Sequence, residues 1–287
     1  MYNFPIGVIV DSFRLPLKEA VKAAASIGAQ GLQMYAYSGA MSPQELTPEK
    51  RRELRKMVEG CGMTFSALCG DGGHGFANAE NNPKVIEQSK RVVDLALDLG
   101  TDVVTTHIGV VPDDVNHPRF QIMAEACRRL AEYSDSVGAH FAVETGPETS
   151  KVLRKFLDCL GSKGIGVNLD PANLVMVAGD NPAEAVRELK DYIVHTHAKD
   201  GIMLTKSDPE FIYGVKPMPE GTSWDTYFCE VPLGTGEVNW KEYLNALDEI
   251  GYRGYLTIER EVGENPAADI ATAVTFLKLK LFCETEK

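Results

Sequence analysis

Residues 164–200 read GIGVNLDPANLVMVAGDNPAEAVRELKDYIVHTHAKD. The stretch opens on an apolar, β-rich run, GIGVNLD, and closes on another, YIVHTHA. Between them, Asn181-Pro182-Ala183-Glu184 has the form of a helix start. Proline suits a first turn, where its missing N–H costs nothing. Strand, helix and strand in so short a span is the unit of a parallel sheet. Both runs also end on a residue able to hold a cation, Asp170 in the first and His197 in the second.

The unit repeats outward in both directions. Helical segments close on an apolar residue plus glycine at Ile27-Gly28, Cys61-Gly62, Leu99-Gly100, Val137-Gly138 and Ile250-Gly251, with a looser version at Gly161–Gly164. A glycine there supplies a left-handed cap at low steric cost. Strand-like runs are PIGVIVD, GLQMYAY, MTFSALCG, TDVVTTHIG, HFAVETG and GYLTIERE, making eight with the two above. Leu17, Ala20, Val21, Ala24 and Ile27, and again Trp240, Tyr243, Leu244, Leu247 and Ile250, follow the spacing of a helix with one apolar stripe. Eight alternations predict an α/β protein, a (β/α)8 TIM barrel forming one domain over residues 1–287. An open doubly wound sheet fits less well, because no GxGxxG or P-loop follows the first strand.

One spacing breaks the rhythm, between the seventh and eighth barrel strands. Gly201–Glu237 is far longer than a connection needs and holds Phe211, Tyr213, Trp224, Tyr227 and Phe228 among several prolines and glycines. The aromatic density predicts an ordered, packed insertion, and long ordered loops are often lids.

Active sites of such barrels lie at the C-terminal strand ends. Glu144, Asp170, His197 and Glu259 end strands five to eight. Each alone has a plain structural explanation as a helix cap or a satisfied core side chain, but four in series point to one divalent metal. Three oxygen donors and one nitrogen suit Mn²⁺, Mg²⁺ or Co²⁺ better than a thiolate-rich zinc site would. Mn²⁺ is the first expectation, with Zn²⁺ also retained. Other residues within reach are His107 after strand four, Asp71 and His74 in the glycine-rich Cys69–Phe76, and Lys199 beyond His197. These, with Asn173, are the candidate substrate contacts. His195 shares the His197 face of the pleat, Asp200 faces away as a cap, and Arg14 is a weaker candidate for an anionic group.

The bulk numbers exclude other classes. The net charge is −12, and the basic stretch Lys50–Lys56 is interrupted by Glu53, so it reads as a solvated helix face. That disfavours nucleic acid, whose phosphates call for a basic patch. No apolar run approaches the ~20 residues of a membrane span. The start MYNFPIGVIVDSF lacks a basic n-region and a cleavage site, and the six cysteines form no CxxC pair. A cytoplasmic protein with reduced thiols is expected. Cys127 and Cys159 read as packing residues, and Cys69 as one that could line a site.

The segments VETG, NLDPAN, HTHAKD and LTIERE resemble those of the xylose-isomerase-like barrel superfamily, over most of the chain. That superfamily includes sugar phosphate isomerases/epimerases, ketose 3-epimerases, inosose-handling enzymes and endonuclease IV. The resemblance implies that Glu144, Asp170, His197 and Glu259 are metal ligands. By the epimerase branch it implies that Glu144 and Glu259 also act as acid and base. The expected function is therefore a metal-dependent sugar or sugar phosphate isomerase/epimerase working through an enediolate. The alternative is a dehydratase of a keto-inositol or keto-sugar, and an abasic-site endonuclease ranks third. Where ketose 3-epimerases and endonuclease IV often carry histidine, three residues after the aspartate, this chain has Asn173. That argues for one metal rather than three. By the same resemblance the partner is a small sugar or polyol, and the chain forms a homodimer or homotetramer.

Overall fold

The structure, a computed structural model, describes residues 2–283, and the side chains through Leu281. Ten strands are present: β1 (Ile6–Ile9), β2 (Gly31–Tyr35), β3 (Thr64–Cys69), β4 (Val103–Thr106), β5 (His140–Glu144), β6 (Ile165–Leu169), β7 (Ile193–Ala198), β8 (Asp200–Met203), β9 (Phe228–Val231) and β10 (Leu256–Ile258). Strands β1 to β7 and β10 close into a parallel barrel in sequence order, with β1 pairing both β2 and β10. The fold is the (β/α)8 barrel expected from the eight runs. Each run is buried through most of its length, as a strand covered on both faces must be.

Helices form the outer layer. Thr47 caps Pro48–Glu59 by accepting from the Lys50 N–H, and Asn181 caps Pro182–Glu188 by accepting from the Ala183 and Glu184 N–H groups. Gly100 (φ 89°) and Gly138 (φ 73°) take the left-handed conformation that ends the helices Asn82–Leu99 and Pro118–Val137. The basic run of Pro48–Glu59 is a solvated face, as read: Arg52 pairs with Glu49, Arg55 with Glu59 and Arg51 with Asp98. Cys127 packs in the core, whereas Cys159 is exposed, because it closes its helix on the outer side. The side chain of Cys283 lies outside the described residues. No helix among the described residues is long and apolar enough to cross a membrane.

Two irregularities in the barrel bear on the site. The β2–β3 register shifts between Leu32 and Gln33, and the β6–β7 register shifts between Val167 and Asn168. A bulge re-aims the side chains next to it. Here the residues re-aimed are Gln33 and Asn168, two amides buried inside the barrel.

The insertion is ordered. Strands β8 and β9 pair antiparallel, Asp200 opposite Val231 and Met203 opposite Phe228, with short helices Pro209–Ile212 and Trp224–Tyr227 between them. Ile212, Tyr213 and Phe228 pack on Ala172, Met176 and Val177 of the barrel. Asp200 gathers the two stems. Its carboxylate accepts from the N–H groups of Gly201 (3.0 Å), Gly234 (2.9 Å) and Val238 (3.2 Å) and from Trp240 Nε1 (3.0 Å). A Cβ on Gly236 would stand 2.2 Å from Asp200 Oδ1, so only glycine lets that loop close over the carboxylate.

Candidate metal centre

Glu144 is the last residue of β5, Asp170 follows β6, His197 lies near the end of β7, and Glu259 follows β10. Barrel closure brings them together at the C-terminal mouth. All four are buried, and one donor atom from each lies within 4.8 Å of the others. His197 Nδ1 faces the three acids, at 3.5 Å from Glu144 Oε1, 3.4 Å from Asp170 Oδ2 and 3.3 Å from Glu259 Oε2.

The donor set fits a divalent cation. Donors that share an ion at roughly 2.1 Å stand roughly 3–4 Å from one another. Asp170 supplies a further sign. Its Oδ1 accepts from the Asn173 N–H at 2.9 Å, but the fully buried Oδ2 has no hydrogen bond. Such an orphan is costly unless a cation meets it. Burial opposes a charge on His197, yet Glu259 and Glu144 outweigh it and raise the imidazole well above its ordinary range. The cluster thus draws positive charge to the point where a metal would sit.

The surrounding side chains fix the donors. Gln33 Oε1 accepts from His197 Nε2 at 3.2 Å and from His195 Nε2 at 3.1 Å, which leaves His197 Nδ1 for the acids. Burial first, then the charge of His197, keeps His195 neutral, well below the ordinary histidine range. Asn168 donates to Glu144 Oε2 at 3.1 Å, and Asn173 donates to Glu144 Oε1 at 3.2 Å. Asn173, a candidate substrate contact, thus holds the Glu144 carboxylate while also lining the mouth above it. Neither Gln33 nor Asn168 is singled out by the sequence reading. The signal was there: each is a lone amide inside an otherwise apolar strand run, GLQMY and IGVNL.

The other candidates fall differently. His107 Nδ1 lies 3.0 Å from Asp71 Oδ2, and its Nε2 lies 3.6 Å from Glu144 Oε1. Burial lowers its basicity, but Glu144 and then Asp71 raise it to about 9. Lys199 is not a free cation. It bonds Glu259 Oε2 at 3.0 Å, contacts Glu261, and lies 3.8 Å from Glu230. Burial would raise Glu259, but Lys199 and then His197 hold it far below the carboxylate range. His74 does not reach the cluster. It is exposed and lines a separate hollow with Tyr37 and Ser42, because Asp71 turns back to accept the Gly73 N–H and carries the following loop outward. Arg14 is likewise committed, donating to the carbonyls of Glu261 and Gly263.

A cavity of about 610 Å³ opens over the cluster. Glu144, His197 and Glu259 line it, as do Asp71, His107, Lys199, Asn173 and Cys69, while Asp170 is fully buried beneath. Tyr213, from the insertion, stands over His107 with ring centres 5.8 Å apart. Glu148, four residues beyond Glu144, is an unexpected neighbour. Its Oε2 accepts from the Val111 N–H at 3.2 Å, and its buried Oε1 has no partner. Burial pushes its carboxyl up to about 8.

Comparison with known proteins bears on this geometry. The family described as xylose isomerase-like TIM barrel matches residues 21–280. The uncharacterized protein YfiH of Bacillus subtilis is 25% identical over 95% of this chain and 98% of its own length. An inosose dehydratase of Lacticaseibacillus casei is 26% identical over 54% of this chain and 52% of its own length, so only about half of each is matched. A solved structure, the xylose isomerase domain protein from Planctomyces limnophilus, superposes with a TM-score of 0.77 at 26% identity, covering 97% of this chain and 98% of that one.

Proposed function

Because the chain belongs to the xylose isomerase-like TIM barrel family, we propose that it is an enzyme that moves a proton on a carbon next to a carbonyl, in a small sugar or polyol substrate. The observation that carries this reading is the pair of buried carboxylates, Glu144 and Glu259, both open to the cavity and both converging on His197 Nδ1. Glu144, Asp170, His197 and Glu259 would hold one divalent ion, Mn²⁺ in the first instance. Bound there, the ion supplies Lewis-acid stabilisation of the negative charge that develops on substrate oxygen when the neighbouring C–H is lost.

The protein's own groups do the rest. Glu259 opens to the cavity with its Oε2 held by Lys199 at 3.0 Å, so its carboxylate is placed to accept a proton. Glu144 reaches the cavity from β5, three strands away around the barrel, with its carboxylate fixed by Asn168 and Asn173. One carboxylate removes the proton, and the other returns it from a different direction. Net return at the same or the adjacent carbon gives epimerisation or isomerisation.

A second reading has its own observation. His107, held by Asp71 at 3.0 Å and facing the cavity, is placed to hand a proton to a departing hydroxyl. That step after the same proton abstraction is a dehydration, the reaction named for the inosose dehydratase relative. Incubating ketoses, ketose phosphates and inososes with Mn²⁺ in deuterium oxide tests both. Exchange of substrate C–H with retention of mass supports the first reading, and loss of water supports the second. No exchange with any of them, or activity indifferent to chelator and to Glu144→Gln, removes the proposal.

A further inference from the structure

The roof over the metal cluster comes from the insertion rather than the barrel. Tyr213, Trp224 and Phe228 line the cavity from above, with Met176 and Val177 beside them. Tyr213 is locked in place: a Cβ on Gly146 would come 2.3 Å from its hydroxyl, so only glycine there admits the ring. Trp224 is 59% exposed and makes no ring contact among the described residues. Large rigid apolar surfaces facing a polar floor fit a ligand with one C–H face and one oxygen-rich edge. The C–H face of a saturated polyol ring has that character.

Charge in the same cavity separates neutral ligands from phosphorylated ones. Asp71, Glu144, Asp225, Glu230, Glu259 and Glu261 line it, against one ammonium, Lys199, and two imidazoles, of which His107 is already paired with Asp71 at 3.0 Å and His197 faces the three cluster acids. Lys199 is spent on Glu259 and Glu261. Arg260, just behind the wall, is spent on Glu230 at 2.7 Å and Asp269 at 2.8 Å. A phosphoryl group carries about −1.5 to −2 charges and calls for guanidinium or ammonium donors. It would find none uncommitted here, and would instead meet carboxylates.

We infer that the substrate is an uncharged ring ketone, a keto-pyranose or keto-inositol, seated with its C–H face on Tyr213, Trp224 and Phe228, and not a sugar phosphate. This rests on the metal-centred proton transfer proposed above for the placement of the oxygen-rich edge. It goes further in deciding the charge and shape of the remainder of the molecule.

The chain has two tryptophans. Trp240 is buried with its Nε1 on Asp200, so a ligand-induced change in indole emission reports Trp224. Mg²⁺-loaded protein is titrated with an inosose, with a free ketohexose and with its 6-phosphate, by fluorescence and by calorimetry. The inosose is expected to saturate with a change in emission, and the 6-phosphate to bind about tenfold or more weaker than the inosose. Trp224→Phe should abolish the emission change while keeping calorimetric affinity within a few-fold. Trp224→Ala should weaken the inosose about tenfold. Tighter binding of the 6-phosphate than of the neutral ligands, or no saturable binding of a neutral ring, overturns the inference. Deuterium exchange on the same samples is read separately: binding as expected without exchange removes the proton-transfer reading and leaves the substrate class standing.

Discussion

One oxygen, Gln33 Oε1, receives N–H groups from both His195 and His197, at 3.1 and 3.2 Å. The amide thereby selects which nitrogen His197 turns toward Glu144, Asp170 and Glu259. Gln33→Leu removes the acceptor at similar volume. Metal affinity, measured by calorimetric titration with Mn²⁺, should fall about 10–100-fold. Gln33→Glu, which keeps an acceptor, should recover most of it. Equal affinity in Gln33→Leu and the parent would show that the amide does not orient the histidine.

Metal removal has a stability signature independent of turnover. Three buried acids converge on one imidazole, and Asp170 Oδ2 is left without a hydrogen bond when no cation is bound. Chelator-treated protein should melt lower. Mn²⁺ at a hundredfold its Kd should restore about 2.7 kcal/mol. Asp170→Asn should lose this response to added metal. A melting temperature unmoved by EDTA and Mn²⁺ would argue against the site.

The proton-transfer pair predicts a loss of turnover that metal loading does not repair. Glu259→Gln and Glu144→Gln should each lower kcat at least 100-fold, within the range for a lost general acid or base. Removing a carboxylate also weakens the metal site, so each is assayed with saturating Mn²⁺. A loss confined to metal affinity, with full kcat once loaded, would assign the residue to ligation alone.

Glu148 supplies the pH dependence. Its carboxyl is raised from the ordinary 4.5 to about 8 by burial. The folded state therefore holds a proton that the unfolded chain releases. The contribution is fully favourable below pH ~4.5 and is lost as pH rises toward 8, at about 1.4 kcal/mol per unit. Glu148→Gln keeps an acceptor for the Val111 N–H and never ionises. Its melting temperature relative to the parent should rise between pH 5 and pH 9. A difference that is constant with pH would show that Glu148 does not titrate in this window.

Asp200 answers four donors at once. Asp200→Ala leaves them unpaired and should cost about 3 kcal/mol or more, seen as a lower denaturant midpoint and a changed Trp240 emission. An unchanged midpoint would mean that water replaces the carboxylate without loss.

The barrel was legible because the barrel strands announce themselves by apolar runs buried on both faces, and most of the long helices by a glycine at or just after their ends. Glu144, Asp170, His197 and Glu259 were legible because strand ends are aligned by the fold, so sequence position translates into spatial position. Gln33 and Asn168 stand out only as lone amides in apolar runs; where they point was not legible, since a bulge shifts register without leaving a mark on the period-2 pattern. Lys199 could be placed on the right face, but its partners come from β9 and the segment after β10, and only tertiary closure shows that its charge is already used. Arg14 and His74 fail for the same reason. Their loops end elsewhere, and loop direction is set by contacts such as Asp71 to Gly73 that no spacing rule encodes.

The Asp200 clamp also separates two tasks that share one chain. The stems of the insertion meet at a single carboxylate, so the peptide from 204 to 227 starts and finishes at the same place whatever its content. Barrel closure does not depend on that tip, yet the tip supplies Tyr213 and Trp224. A different tip grafted between the same stems would change what the pocket accepts while leaving the chemistry beneath it in place. In this molecule part of the pocket's apolar roof is an exchangeable piece.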